Sequence, residues 1–233
     1  KKILFTLSIL LACVLAAPSH VFAVAYNIAD ATFIQVALDV SGQDAQPGDI
    51  LFNDDGTKMY LVGSENDFVY EYNLATPYDI ASAVFSEAVL DVSEEGNSTG
   101  MTFNDDGTTL YVTGSGGDEI NEYTLTTPYD VSTGSFTQRI PITTNRAPNA
   151  LLFNDDGTVL YVLDRLDQEI NEYGLLNPYD ASLSFIPQVA LDVSGQNGQP
   201  TSMTFNNDGT KLYLLGYDSQ EINEYDLATP YDI

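Results

Sequence analysis

Short segments rich in Tyr, Leu, Val and Phe follow one another along the chain after an apolar N-terminal run. The first group reads "DILF", "KMYLVG", "FVYEYNL" and "VFSEAVLDV", and residues such as Gly, Asn, Asp and Pro separate its members. Aromatic and β-branched residues bounded by such breakers are typical of strands. No apolar stripe with the period of a helix appears after the N-terminal run. The pattern predicts an all-β protein whose strands come in groups of four.

These groups of strands repeat. The hexapeptide "FNDDGT" begins at Phe52, Phe103 and Phe153, and "FNNDGT" begins at Phe205; "TPYD" or "NPYD" follows each copy at a constant distance. Four strands in a period of about 50 residues predict one four-stranded antiparallel blade of a β-propeller per repeat. The chain therefore holds four predicted blades, whose repeats begin near Tyr26, Tyr78, Tyr129 and Tyr179.

The first and the last repeats in the sequence are each incomplete. The segment from Tyr26 aligns with the fourth strand that follows Tyr78, whereas the last repeat stops after its third strand. Three arrangements are consistent with these incomplete repeats. The N-terminal strand completes the last blade of a four-blade ring, which removes open sheet edges; or the chain is a fragment of a larger propeller; or residues 26–41 insert into a neighbouring subunit, giving head-to-tail self-association.

The N-terminus has the layout of a secretory signal peptide. Lys1 and Lys2 precede an apolar run that ends at Ala17, and "PSHVFA" follows. This run is shorter than the roughly 20 residues that cross a bilayer. We predict a signal peptide at residues 1–23, a propeller domain at 24–233, no membrane span, and a secreted, periplasmic or cell-surface location. Cys13 in "LLAC" provides an alternative, a lipid anchor.

Composition limits the chemistry. The chain has 34 acidic and 7 basic residues, a net charge of −27, so nucleic acid and anionic membranes are unsuitable partners. Its only Cys and only His lie in the predicted signal peptide. The mature chain would then lack a Ser-His-Asp or Cys-His nucleophile, a His-ligated zinc site and disulfides. Any catalysis would fall to carboxylates, Tyr, the few bases or a hard metal ion.

The hairpin "DDGTTLYVTGSGGDEINEYTL" resembles the YVTN and lactonase-like class of propeller repeats. The resemblance covers residues 26–233 and rests on the pattern of turns and strands. It implies a propeller fold in a family that contains secreted surface proteins, binding modules and some sugar lactonases. Lactonases of this class use a set of His and Arg, which the mature chain cannot supply because it lacks His, or a calcium site of Glu, Asn and Asp, which it does not match residue by residue.

The repeated acids have two interpretations. The Asp at the fourth position of each hexapeptide precedes a Gly suited to positive φ, as a short hairpin requires. The third strand repeats a Glu that faces a neighbouring blade, where it can accept hydrogen bonds. Calcium as a cofactor is the alternative, although an EF-hand-type loop would need further ligands where an apolar strand follows. The candidate metal ligands are Asp55, Asp106, Asp156, Asp208, Glu71, Glu122, Glu172 and Glu224.

Antiparallel topology puts the repeated motifs at one end of the blades and the loops that differ between copies at the other. Binding residues favour loops on a rigid scaffold. Arg146 and Arg165 fall in these loops and are candidates for holding an anionic group, with Asp164 and Asp167 beside them as ligand residues or as ion-pair partners.

The sequence thus favours a non-enzymatic binding or structural module that recognises a protein or glycan at the cell surface. The alternatives are a calcium-dependent lactonase-like hydrolase and a strand-exchanged subunit of an extracellular fibre.

Overall fold

The computed structural model describes residues 32–34, 38–94, 96–142, 147–182 and 189–233, with the backbone alone at 189 and 190. Residues 35–233 form the compact unit that contains every described strand. The predicted signal peptide and residues 26–31 and 35–37 of the predicted first strand lie outside the described residues. Where the structure is described, no helix has the length and hydropathy that a membrane crossing requires.

The described strands form four separate antiparallel sheets, each a meander in chain order. Blade 1 contains β1 (Pro47–Phe52), β2 (Lys58–Gly63), β3 (Phe68–Leu74) and β4 (Ala83–Asp91). Blade 2 contains β5 (Ser98–Phe103), β6 (Thr109–Gly114), β7 (Glu119–Leu125) and β8 (Gly134–Pro141). Blade 3 contains β9 (Pro148–Phe153), β10 (Val159–Asp164), β11 (Glu169–Gly174) and β12 (Val189–Asp192). Blade 4 contains β13 (Pro200–Phe205), β14 (Lys211–Gly216) and β15 (Ile222–Asp226).

This architecture confirms the predicted all-β propeller of four antiparallel blades. Helical structure in the described residues is confined to 3-10 turns at Ile80–Ser82 and Val131–Thr133, which lead into β4 and β8. The carboxylates of Asp79 and Asp130, the last residues of "TPYD", accept the backbone N–H groups of Ala81 and Ser132 and so begin these turns.

Apolar side chains fill the spaces between consecutive blades. Tyr60, Val62 and Val69 of blade 1 pack with Met101 and Val112 of blade 2 in one buried cluster. Equivalent clusters join blade 2 to blade 3 and blade 3 to blade 4. The second strand of blades 1 to 3 is buried on both faces for this reason, which explains its nearly continuous apolar sequence.

The first strands of successive blades also touch one another. A Cβ at Gly48 would lie 2.9 Å from the backbone of Thr99, so this position admits only Gly without a shift. The Thr99 hydroxyl donates to the Asn149 carbonyl at 3.0 Å, and Asn149 Nδ2 donates to the Thr201 carbonyl. The first strands therefore make direct contacts between neighbouring blades.

Asp49 of β1 lies at the contact between β1 and β5. Its carboxylate accepts the backbone N–H groups of Ile50 at 2.9 Å and of Met101 at 3.2 Å. Burial nevertheless outweighs these two hydrogen bonds and raises the pKa of Asp49 from 3.8 to about 6. The folded chain therefore holds the Asp49 proton more tightly than the unfolded chain does.

Asp49→Asn is expected to stabilise the protein at pH 7. Because the folded-state pKa lies above 3.8, the contribution of Asp49 to stability is fully present below pH 3.8 and is lost as the pH rises through about 6. Asn keeps an oxygen acceptor without the charge, so the free energy of unfolding in urea should rise by about 1–2 kcal/mol at pH 7 and little at pH 4. Glu221→Gln, which removes one exposed carboxylate, is the control for net charge. An equal effect of the two changes would contradict the prediction.

Candidate functional site

The Asp before Gly in each repeated hexapeptide caps its own turn. Asp55 Oδ1 accepts the backbone N–H of Thr57 at 2.9 Å and the Asn53 side-chain amide at 2.9 Å. Hydrogen bonds from the Thr57 hydroxyl and backbone hold the pKa of Asp55 below its usual value. The same arrangement recurs at Asp106, Asp156 and Asp208. These carboxylates are used by the hairpins themselves.

The Tyr of "TPYD" holds the turn of the hexapeptide, which we call the corner. The Tyr78 backbone N–H donates to the Gly56 carbonyl at 2.9 Å, and its hydroxyl donates to the Asp54 carbonyl at 2.6 Å. Tyr78 has a φ of 59°, in the left-handed region, which turns its ring onto the α-carbon of Gly56. Tyr129, Tyr179 and Tyr231 repeat both the backbone bond and the positive φ. The two motifs of each repeat are therefore one structural unit.

The repeated Glu residues of the third strand do not all have the same environment. Glu71 is buried, pairs with Lys58 Nζ at 2.9 Å and accepts the Val131 N–H of blade 2 at 3.3 Å. Glu122 accepts the Gln138 side-chain amide at 2.9 Å, and Glu224 pairs with Lys211. Within the described residues, Glu172 Oε2 is buried without a hydrogen-bond partner, and burial followed by the charge of Asp232 raises the pKa of Glu172.

The eight candidate metal ligands do not converge. Each of the four Asp residues caps its own turn. The four Glu residues lie on separate blades, where Glu122 and Glu224 bond within their blade and Glu71 also contacts blade 2. Among the residues that the structure describes, no group of three or more acidic, His or Cys side chains has the arrangement of a metal site.

A cavity of about 250 Å³ lies at the end of the blades that carries the repeated corners. It is lined by the first acid of three corners, Asp54, Asp105 and Asp155, and by aromatic rings that include Phe103 and Tyr129. Burial, followed by the charge of Asp54, raises the pKa of the Tyr129 hydroxyl, and the Tyr231 hydroxyl donates to Asp155. From the sequence, the two adjacent acids appear as one motif. Their separate roles, the first acid lining a cavity and the second capping the turn, were not predicted.

A second cavity, of about 400 Å³, lies at the opposite end, among the loops that differ between copies. It is lined by Ser115, Ala147, Arg165, Leu166, Gln168, Gly198 and Gln199. Three blades contribute to it, because Ser115 follows β6, residues 165–168 join β10 to β11, and residues 198–199 precede β13. This cavity is the candidate binding site.

Hydrogen bonds set the positions of its polar groups. Arg165 Nη2 donates to Gln199 Oε1, and Gln199 Nε2 donates to Asp218 at 2.8 Å. The Arg165 backbone N–H donates to the Ala147 carbonyl at 3.1 Å, which ties the β10–β11 loop to the loop before β9. The guanidinium is therefore held beside an amide at the cavity wall.

The structure separates the four predicted ligand residues. Arg165 lines the cavity, whereas Asp164 is fully buried beneath its loop, where Oδ1 accepts the N–H groups of Leu166 at 2.7 Å and Asp167 at 2.9 Å. Asp167 is exposed in the same loop. Arg146 lies outside the described residues.

Two lining residues, Gln168 and Gln199, were missed by sequence reasoning. Glutamine recurs in these loops, in "DRLDQE", "GYDSQE" and "SGQNGQPTS", and that recurrence was the available signal.

No protein-family model matches the chain, and no curated protein matches it. Solved structures do. A 6-phosphogluconolactonase-like protein of Bacteroides fragilis is 13% identical with a TM-score of 0.54, and the match covers 77% of this chain and 50% of that one. A second such protein, from Bacteroides uniformis, is 19% identical with a TM-score of 0.53, covering 85% and 56%. The fold is that of a β-propeller.

A third propeller match comes from the nidogen–laminin complex, at 17% identity and a TM-score of 0.50, covering 78% of this chain and 60% of that one. The chain thus spans 50% to 60% of the length of these proteins. Identities this low establish shared architecture alone. The YVTN family and its activities remain a prediction from the sequence.

Proposed function

We propose that the protein is a non-enzymatic binding module, located outside the cytoplasm, that recognises a protein or glycan at the cell surface through the cavity at its variable-loop end. The observation that carries this proposal is the cavity of about 400 Å³ built from the loops of three blades. Blade packing and the repeated corners supply a rigid base. Among the lining residues, Arg165 and Leu166 differ from their equivalents in the other three copies.

The lining suits a ligand that carries both hydrogen-bonding groups and an apolar face. Arg165 offers a planar set of donors that matches a carboxylate, and Gln168 and Gln199 can both donate and accept. Leu166 supplies exposed apolar surface at the same cavity. A sugar ring with a carboxylate substituent, or a protein loop with an acidic side chain, has these features.

Arg165→Ala is expected to weaken ligand binding by about tenfold or more, because a hydrogen bond to a charged group contributes about 1.5–3 kcal/mol. The measurement is calorimetric titration of the chain with oligosaccharides that contain or lack uronic acid residues, and with acidic peptides. Arg139→Ala is the matched control, since Arg139 lies on β8, where it pairs with Glu94 at 2.7 Å and Glu119 at 3.2 Å. Equal losses from both variants, or no binding to any member of the panel, would count against the cavity.

The hydrolase hypothesis has its own support in the corner cavity with its three acids and in the lactonase-like matches. Its test is lactone hydrolysis by the purified chain with calcium and then with EDTA. Hydrolysis that EDTA abolishes would replace the binding proposal. The proposed location is tested by the intact mass of the exported protein, which should correspond to a chain that begins at Val24.

A further inference from the structure

The face that each blade presents to the next blade is buried in blades 1 to 3 and exposed in blade 4. Two positions on this face show the difference, one on the second strand and one on the third. In the first three blades both positions are fully buried, at Val62, Val69, Thr113, Ile120, Leu163 and Ile170. In blade 4 their equivalents Leu215 and Ile222 are 44% and 54% exposed. Blade 4 therefore presents an uncovered copy of a face that is otherwise an interface.

Blade 1 shows the complementary difference on the face that each blade presents to the preceding one. Ile50 of β1 is 56% exposed, although its equivalents Met101, Leu151 and Met203 are buried. Ile80, in the turn before β4, is 36% exposed, although its equivalents Val131 and Ala181 are fully buried. Thus the two faces that remain exposed are the two sides of one kind of interface.

Half of that interface is already assembled on blade 1. Leu38 and Val40 pack with Met59, Leu61 and Leu74 of blade 1. Their equivalents Leu90 and Val92 pack in the same way in the cluster between blades 1 and 2. What completes the latter cluster is Tyr60, Val62 and Val69 of the preceding blade, and the equivalents of these residues are Tyr213, Leu215 and Ile222 on blade 4.

Polar groups match as well. At the interface between blades 1 and 2, Lys58 Nζ donates to the Tyr129 carbonyl at 2.8 Å while it pairs with Glu71. Blade 4 repeats this pair as Lys211 and Glu224, which blades 2 and 3 do not, because Thr109 and Val159 stand at the Lys position. The carbonyl equivalent to that of Tyr129 belongs to Tyr78, whose side chain is exposed on blade 1.

We propose that a second copy of this chain occupies these faces, with blade 4 of each copy packed on blade 1 of the other. The interface would continue the one that the chain makes three times with itself. Two such contacts related by a two-fold axis along the propeller close a ring of eight blades and leave neither face exposed. The size agrees with the matched propellers, of which this chain spans 50% to 60%.

Sedimentation velocity of the chain tests the proposal, at about 50 μM protein and about 0.5 M salt to screen the repulsion between chains that each carry a net charge of −27. The expected species is a dimer. Ile222→Glu and Ile80→Glu should each give monomers, because each variant damages both contacts of the ring. Both positions are exposed within one chain, so each variant should still fold and show a cooperative thermal unfolding transition.

Mixing the two variants distinguishes this arrangement from other dimers. An Ile222→Glu chain and an Ile80→Glu chain can still form one undamaged contact, so the equimolar mixture should regain dimer. Leu176→Glu adds the same charge at an exposed position of blade 3 outside both faces and should leave the dimer unchanged.

A monomeric parent chain would overturn the proposal, and so would a dimer that neither Ile variant weakens. If both variants are monomeric and their mixture does not restore dimer, blade 4 of one copy does not pack on blade 1 of the other and the proposal is wrong. A mass that continues to rise with concentration would mean an open array in place of a closed ring.

Discussion

Gly107→Ala is expected to lower the free energy of unfolding by about 3 kcal/mol or more. Gly107 has a φ of 68°, a conformation that costs an L residue about 1–2 kcal/mol. The new Cβ would also overlap the ring of Tyr129, which would have to move. That ring packs edge-on against Phe103, with centroids 5.3 Å apart, so its displacement also loosens the contact with blade 1.

Two other glycines allow the cost of the positive φ to be measured separately from the overlap with the Tyr ring. Gly96 has a φ of 60°, but a Cβ added there would meet no atom within 4 Å, so Gly96→Ala should show only the conformational cost, about 1 kcal/mol. Gly42 has neither constraint, so Gly42→Ala should be nearly neutral. Urea unfolding of the three variants measures the series. Equal losses at Gly107 and Gly96 would show that the Tyr ring gives way at no cost.

Tyr111→Phe and Tyr161→Phe are each expected to lower the free energy of unfolding by about 1–3 kcal/mol, the penalty for leaving a buried acceptor unsatisfied. Each hydroxyl donates across a blade interface, to the Tyr179 carbonyl and to the Tyr231 carbonyl. Burial raises the pKa of both hydroxyls, which keeps them protonated donors throughout the neutral range. The loss should therefore be independent of pH between about 5 and 8.

Tyr60→Phe provides the internal comparison. Tyr60 makes the equivalent bond to the Tyr129 carbonyl at 2.7 Å, but Lys58 Nζ donates to the same oxygen at 2.8 Å. The carbonyl keeps a partner when the hydroxyl is removed, so the loss should be smaller than at Tyr111 or Tyr161. Urea unfolding of the three variants, with Lys58→Met combined with Tyr60→Phe, measures the redundancy. A Tyr60→Phe loss as large as the others would mean that Lys58 does not compensate.

The fold was predictable because its information is local and repeated. Strand-forming segments, Asp-Gly turns and the recurring "PYD" specify each blade within its own stretch of chain, and four copies reinforce one another. The contact between Gly56 and Tyr78 was not predictable in this way. The positive φ of Tyr78 is held by a backbone bond to the other motif, and nothing in the local sequence favours that conformation for Tyr.

The candidate site was predictable only as a region. The variable-loop end follows from strand direction, and Arg165 was among its predicted residues, but the cavity depends on how loops from three blades meet. Burial of Asp164 shows the limit, because the same acid in sequence can face a ligand or cap the loop beneath it. Glu71 pairs with Lys58, Glu122 accepts the Gln138 amide, and Glu172 Oε2 is buried without a partner among the described residues, so identical positions in a repeat acquire different environments from their neighbours.

Each blade packs one face on the preceding blade and the opposite face on the next blade, and all blades have the same orientation along the array. Duplication of one repeat of about 50 residues in the gene would therefore insert a blade that already fits both of its neighbours. Loss of one repeat would be equally well tolerated at the new junction. The number of blades can thus change in whole steps while neighbouring blades keep an apolar interface of the same kind, and the loops at the variable end remain free to diverge one copy at a time.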